Sequence, residues 1–205
     1  MNLIDKNMAN ADSHGGTGES VARSKRWYVA LVRMYHEKKV ADRLSKMGIE
    51  NFVPIQQQVR QWSDRRKVVD CVLLPMMVFV HADPCQRMEV LTIPAVSRYM
   101  VLRGESSPAV IPDEQMNRFR FMLDYSDQAV CMNDSPLLRG EKVCVVKGPL
   151  KGLEGELVTI DGKSKVAVRL NLLGSACVDM PVGYVEPANE KQSSKLRNLN
   201  YEEKI

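Results

Sequence analysis

Basic side chains recur at helical spacing near the start of the strongly patterned part of the chain. They are His36, Lys39, Arg43 and Lys46, separated by three, four and three residues. This spacing places all of them on one side of an α-helix. A row of cations on a helix attracts phosphate and could bind nucleic acid, although an ordinary solvated helix face has the same pattern.

The helix that carries this row is predicted by apolar residues on its opposite side. Val40, Leu44 and Met47 recur at helical spacing, and a glycine follows as a natural stop. Arg33 ends the preceding strand near the same edge. Two acidic residues of the helix dilute its positive charge, Glu37 and Asp42.

A second basic cluster stands between two strand-like runs. Its members are Arg60, Arg65, Arg66 and Lys67. The polar segment between the runs predicts the charged tip of a β-hairpin. Few aromatic residues are interleaved with either cluster, so the sequence does not indicate base stacking.

No residue pattern in the chain predicts catalysis. The histidines at 14, 36 and 81 lack the spacing of a metal-binding HExxH motif, and no GxSxG, Walker or GxGxxG motif is present. The glycine-rich segment Gly148–Gly155 lacks the Gly-Lys-Ser/Thr core of a phosphate-binding loop. We therefore expect a protein that is not an enzyme and that has no catalytic residue, metal or cofactor.

The cysteines and the apolar runs indicate a cytoplasmic protein. There are 5 cysteines, an odd number, and none forms a CxxC pair, so we expect buried free thiols such as Cys71 and Cys144. The run Val68–Val80 is too short for a membrane helix, and residues 1–25 have no secretory apolar core. We expect no membrane association.

The elements around the basic row predict a split βαβ unit. In chain order they are a strand at Trp27–Met34, the basic helix, a hairpin of Phe52–Val59 and Val68–Val80, a helix from Asp83 to about Thr92, a strand at Val96–Leu102 and a helix capped by Asp113. This order is typical of a ferredoxin-like antiparallel sheet with helices on one face. A second block, with 5 short strand-like runs between glycines, favours a small SH3-like β-barrel. The expected class is α+β.

Composition divides the chain into five segments. They are a flexible extension (1–25), the split βαβ domain (26–124), a linker (125–138), the barrel (139–187) and a flexible tail (188–205). The formal net charge of +4 is unevenly distributed. Residues 26–126 carry the excess of basic residues, whereas residues 127–187 contain 7 basic and 8 acidic residues. An anionic partner is therefore expected on the first domain.

Two adjacent methionines, Met76 and Met77, interrupt the apolar run of the third strand. On a strand they point to opposite faces, so one can enter the core while the other meets a helix or a partner protein. Burial of both remains the alternative.

Several segments resemble the NusG family of transcription factors. In the first block they are Arg26–Val29, Leu74–Val80 with its LPxxVFV pattern, and Ser107–Pro112; in the second block Gly140–Val143 and Gly148–Gly155 resemble the family's KOW motif. The resemblance covers about residues 26–187 with both domains in the same order. It implies an amino-terminal (NGN) domain followed by a KOW barrel.

The resemblance implies a transcription elongation factor that binds the two large subunits of RNA polymerase and suppresses pausing and termination. The apolar residues it assigns to polymerase binding are Trp27, Leu74 and Met77. The family has an aromatic residue where the Met76-Met77 pair stands here. The barrel would recruit Rho or a ribosomal protein, through Leu172 and Leu173.

The resemblance also gives the basic helix a role. In specialised members this side of the helix contacts the non-template DNA strand on the polymerase. The matching residues here are Arg33, His36, Lys39, Arg43 and Lys46.

The polar extension, the methionine pair and the segment Arg103–Pro112 are similar to UpxY-type antiterminators. That similarity implies transcription of long surface-polysaccharide operons, such as those for capsular polysaccharide. The alternatives are a KOW-type RNA-binding or ribosome-associated module, which the net charge of −1 on residues 127–187 argues against, and an adaptor without nucleic-acid contact.

Overall fold

The computed structural model describes residues 24–61, 65–133, 137, 140–181 and 183–188. The predicted extension lies outside these residues except for Ser24 and Lys25. The predicted tail lies outside them except for Ala188.

The first unit is a mixed α+β fold, as predicted. Its described elements are β1 (Arg26–Val32), α1 (Glu37–Lys46), β2 (Glu50–Phe52), β3 (Ile55–Gln61), β4 (Arg66–Val72), β5 (Met77–Ala82), α2 (Pro84–Leu91), β6 (Val96–Tyr99), β7 (Val110–Ile111) and α3 (Asp113–Tyr125). An antiparallel sheet has the order β2-β5-β1-β6, with β7 also paired to β1. This order confirms the predicted split βαβ topology.

Different helices cover the two faces of this sheet. Tyr28, Ala30 and Val32 of β1 are buried in one cluster with residues of α1 and α2. Trp27 and Val29 alternate to the other face, where they share a cluster with α3 residues. The predicted split βαβ unit has its helices on one face, as α1 and α2 do here, and the additional helix α3 covers the other face.

Prolines divide the two long strands that the sequence predicted. Pro54 separates β2 from β3, and Pro75 separates β4 from β5, since proline has no N–H to donate to a neighbouring strand. Met76 follows with a left-handed φ of 63°. As a result β3 and β4 form a two-stranded hairpin of their own rather than extensions of the main sheet.

The helix ends are set partly as predicted. Asp83 caps α2, because its carboxylate accepts hydrogen bonds from the backbone N–H groups of Cys85 and Gln86. Asp113 is instead the first residue of α3, and Pro112 precedes it without a side-chain cap.

The second unit is a six-stranded antiparallel sheet within the described residues. Its strands are β8 (Cys131–Asn133), β9 (Glu141–Val145), β10 (Glu154–Ile160), β11 (Lys163–Leu170), β12 (Gly174–Asp179) and β13 (Val185–Pro187), ordered β13-β9-β10-β11-β12-β8. Gly155 is required at its position, because a Cβ there would lie 2.7 Å from Cγ1 of Val166 and 2.8 Å from the carbonyl oxygen of Ala167. The five strands predicted for the barrel are present.

The segment predicted as a linker, 125–138, contains regular structure. It begins within α3 and includes β8, which pairs with β12. The side chain of Gln56 on the hairpin also holds this segment, accepting from the backbone N–H of Val130 and donating to the carbonyl oxygen of Gln128.

The two units meet at α3. Arg118 donates to Glu154 of β10, and Gln115 exchanges two hydrogen bonds with Asn171, in the turn after β11. One apolar cluster runs from the sheet face under α3 into the barrel. The helix that closes the first unit therefore also supports the second.

Candidate functional site

The basic row lies opposite the apolar side of α1, as its spacing predicts, and its lysines and arginine are exposed. Lys39, Arg43 and Lys46 are exposed, while Val40 and Leu44 are buried on the other side of the helix. Arg33, at the end of β1, is exposed as well. None of these four cations forms an ion pair with a described residue. Their charges are therefore available to an anionic partner.

His36 stands at the N-terminal end of this row and is half-buried. Its Nδ1 lies 3.0 Å from the backbone carbonyl oxygen of Met34. A carbonyl oxygen can only accept, so Nδ1 carries the proton and Nε2 is the ring nitrogen left for a partner. His36 thus adds one polar contact point to the row.

Glu37 does not oppose the row in the way that the sequence suggests. It is buried, and its carboxylate accepts a hydrogen bond from the backbone N–H of Met76 at 2.7 Å. Its charge therefore faces the turn before β5. Sequence reasoning missed this role, because no local pattern links Glu37 to a turn 39 residues away.

Lys38 is also engaged with the hairpin. Its Nζ lies 2.6 Å from Oδ2 of Asp70 on β4. Lys38 thus differs from Lys39, Arg43 and Lys46, which form no ion pair within the described part of the chain.

The residues that the resemblance assigns to polymerase binding lie on the sheet face under α3. Trp27 and Leu74 are 3% and 8% exposed and belong to the apolar cluster that α3 closes. The indole of Trp27 stacks on His81 at 4.8 Å, and the guanidinium of Arg120 lies 5.8 Å from its ring centre. The two side chains are thus covered, because α3 occupies the face. Their role in binding stays a prediction.

The two methionines differ in exposure. Met77 is half-buried at the start of β5 and packs against the same cluster. Met76, in the preceding turn, is 42% exposed. The apolar surface that remains open beside β5 thus belongs mainly to Met76.

The barrel residues assigned to partner binding pack in the apolar cluster that spans the two units. Leu173 is buried and Leu172 half-buried, both in or against the cluster that spans the two units. The adjacent Asn171 is the residue that bonds Gln115 of α3. The role of the two leucines is not tested by this placement.

The hairpin carries the second basic cluster at its far end. Arg65, Arg66 and Lys67 are exposed, and the backbone of Arg60 pairs with Lys67 across the two strands. Residues 62–64, at the tip, and the side chain of Arg60 lie outside the described part. On the strands themselves Val59 and Val68 form an exposed cross-strand pair.

Two further features of the described residues concern metal ligands and thiols. The described residues contain no group of three metal-ligating side chains. Burial raises the pKa values of the Cys144 and Cys177 thiols, which therefore stay protonated and unreactive at neutral pH. No helix of this part of the chain is long and apolar enough to cross a lipid bilayer.

Comparison with known proteins gives one family match. Residues 25–120 match the family model described as transcription termination factor nusG. This segment contains the whole main sheet, the hairpin and most of α3, and it is somewhat less than half of the chain. No curated protein matches the chain.

Solved structures show a weaker likeness. A structure described as domain interaction in Thermotoga maritima NusG is 22% identical, with 81% of this chain and 98% of that chain covered and a TM-score of 0.42. A structure of the MjSpt4:Spt5 complex is 15% identical, with 80% and 98% covered and a TM-score of 0.27. These likenesses are too weak to support a functional argument.

Proposed function

We propose that this chain is a NusG-family transcription factor that binds RNA polymerase and suppresses pausing and termination without catalysing a reaction. The observation that carries the proposal is the family match over residues 25–120. The predicted split βαβ order of the same segment supports it. The chain acts in the cytoplasm under this proposal, where polymerase and DNA are its partners.

The open basic row supports the contact with DNA. Arg33, Lys39, Arg43 and Lys46 are exposed and have no ion pair with a described residue, so a phosphate backbone can bind them without first breaking an internal bond. Basic residues that contact phosphates position a nucleic acid and do not read its sequence directly. The non-template strand on the polymerase is the DNA that this role requires.

The polymerase contact is assigned to the apolar residues beside β5. With α3 on the sheet face, the accessible apolar side chains beside β5 are Met76, which is 42% exposed, and the half-buried Met77. A contact that also includes Trp27 requires the cover on that face, including Arg120, to shift. The large subunits of polymerase are the proposed partners.

Two finer assignments rest on the resemblance alone. The polar extension, the methionine pair and Arg103–Pro112 support a UpxY-type antiterminator of surface-polysaccharide operons. The turn with Leu172 and Leu173 is the proposed binding site for a ribosomal protein or Rho, and its present packing against the cluster at α3 means that it must separate from that cluster to bind.

A reconstituted elongation assay tests the proposal. The full chain is added to polymerase on its own operon's leader, and pause lifetime and terminator readthrough are measured. We expect shorter pauses and more readthrough. An unchanged pause lifetime together with unchanged readthrough contradicts the proposal.

A single substitution tests the polymerase contact. Met77→Asp is expected to abolish co-purification with polymerase, because the new carboxylate would be buried in the interface without a partner. Met88→Asp is the matched control, since Met88 is 62% exposed on α2. Thermal unfolding of both variants separates lost binding from lost folding. If folded Met77→Asp protein still binds polymerase, Met77 is outside the interface.

A further inference from the structure

We propose that Tyr35 is a stacking platform for an unpaired base of the DNA strand that the basic row holds. Tyr35 lies between β1 and α1, directly after Arg33 and Met34 and before His36. The inference rests on the proposed DNA contact of α1 and adds to it a residue that binds a base rather than a phosphate.

Tyr35 is exposed to an unusual degree. At 86% it has the largest exposed fraction of any large apolar side chain in the described residues. It precedes the N-cap of α1, the position from which an apolar side chain often packs onto the residue four positions into the helix. Here that residue, Val40, is buried among other residues, so the ring of Tyr35 does not stabilise the helix by packing on it.

The backbone of Tyr35 is strained. Its φ is 63°, in the left-handed region that suits glycine and that a bulky residue seldom adopts. A glycine here would relieve the strain and would remove no buried contact, as the exposure shows. A strained, exposed aromatic ring is therefore unexplained by folding and calls for a functional reason.

The second bulky residue with a left-handed φ lies at the same end of α1. Met76 also has a φ of 63°, and its N–H donates to Glu37 in the first turn of the helix. Its carbonyl oxygen accepts from Val32 of β1 at 2.9 Å. The segments bearing Met34, Tyr35 and Met76, which are 52%, 86% and 42% exposed, are thus tied together at one end of the basic row.

The surrounding charges favour a nucleic acid as the occupant. Arg33 precedes the ring by two residues and Lys39 follows it by four, and both are exposed without an ion pair to a described residue. Proteins that bind single-stranded DNA combine cations that follow the backbone with aromatic rings on which bases stack. An acidic protein could use the cations, but its Asp and Glu side chains have no ring to stack on Tyr35, whereas every nucleotide carries both a phosphate and a flat base. We therefore choose single-stranded DNA.

A DNA strand without bases distinguishes base stacking on Tyr35 from phosphate binding by the cations. Full-length protein is titrated into a fluorescent 12-nucleotide oligothymidylate and into an abasic strand of equal length, and fluorescence anisotropy is measured. We expect wild-type protein to prefer the thymine strand, and Tyr35→Gly to lose roughly fivefold or more in affinity for it while binding the abasic strand as before. Tyr35→Phe should retain the preference, because it keeps the ring.

Thermal unfolding and a second glycine variant provide the controls. Tyr35→Gly should unfold at the same temperature as the wild type or higher, because the left-handed strain is removed. Asp161→Gly relieves the same kind of strain, a φ of 53° in the barrel turn between β10 and β11, and should keep the preference for thymine.

The outcomes separate this inference from the proposed function. If Tyr35→Gly retains the thymine preference while Lys39→Glu with Arg43→Glu weakens binding of both strands, the stacking role is wrong and the DNA contact stands. If the charge reversal changes nothing, the DNA contact fails and the stacking role with it. If Tyr35→Gly loses polymerase but not thymine binding, the ring is a protein contact and the inference is overturned.

Discussion

Two exposed cations of α1 and two cations of the barrel differ in their contacts. Lys39 and Arg43 on α1 are exposed and form no ion pair with a described residue. In the barrel, Lys165 lies 2.9 Å from the carboxylate of Asp179, and Arg169 bonds Glu156 through two nitrogens at 2.8 Å. These internal hydrogen bonds raise the pKa values of both barrel cations.

This difference shows why the number of basic residues alone is a poor guide to nucleic-acid binding. A paired cation must give up its carboxylate before it can bind phosphate, whereas an unpaired one loses only water and counterions. Lys165 and Arg169 are thus poorly placed for the RNA-binding alternative. The first unit has both the excess charge and the free surface.

The largest expected effect is the difference in DNA affinity between charge reversal on α1 and charge reversal on the barrel. In the full chain, Lys39→Glu with Arg43→Glu should lower affinity for single-stranded DNA roughly tenfold or more near 0.1 M salt, and the salt dependence should become shallower by about 1.4. Fluorescence anisotropy across a salt series measures both.

The matched control is Lys142→Glu with Lys151→Glu, on exposed residues of the barrel. It changes the net charge equally and should alter affinity by less than about twofold, since only a long-range field is lost. Equal losses from the two double variants would mean that net charge, rather than the α1 face, attracts the DNA.

The next contrast concerns stability. Arg169→Ala should lower the free energy of unfolding by about 1–2 kcal/mol, because it removes a two-point bond to Glu156. Arg43→Ala should stay within about 0.5 kcal/mol of the wild type, because its side chain has no described partner. Urea unfolding measures both changes. A cost for Arg43→Ala as large as that for Arg169→Ala would show that Arg43 has a structural partner.

The sequence predicts the basic row of α1 but not the ion pairs of the barrel. The row depends on nearby residues, whereas the ion pairs depend on contacts between strands. The α1 row follows from helical spacing, and the cap at Asp83 follows from neighbouring residues, so both are readable locally. The pairing of Lys165 with Asp179 depends on the β11–β12 register, which spacing alone does not give.

Local sequence patterns also do not predict which face of the main sheet α3 covers. Both faces of β1 are apolar in the sequence, and the pattern of Met116 and Phe119 shows that α3 has a buried side. Neither pattern states which face α3 covers, so the burial of Trp27 does not follow from the sequence. Pro54 and Pro75 do carry a readable signal, and their effect on the strands could have been predicted.

The two acidic residues of α1, Glu37 and Asp42, should differ in their effects on stability and on DNA binding. Glu37→Ala should cost roughly 1 kcal/mol of unfolding free energy, because the N–H of Met76 loses its acceptor, and it should leave DNA affinity unchanged. Glu37→Gln retains an oxygen acceptor and should cost less. Asp42→Asn, on an exposed residue, should instead strengthen DNA binding slightly with little change in stability. If Glu37→Ala strengthened DNA binding more than Asp42→Asn does, the Glu37 carboxylate would act on DNA bound at the basic row.

The smallest expected effect is the acid dependence of the barrel pair. The hydrogen bond from Lys165 holds the pKa of Asp179 below its ordinary value. A lowered folded-state pKa stabilises the fold above the unfolded value of about 3.9, and this contribution is lost as pH falls through the folded-state pKa. Asp179→Asn lacks the charge at every pH. The gap in unfolding free energy between wild type and variant should therefore be constant above about pH 5 and shrink below about pH 4. A gap that is unchanged down to pH 2 in urea titrations would mean that Lys165 does not stabilise the ionised carboxylate. The contrast with Lys39 and Arg43 would then lose one of its two barrel examples.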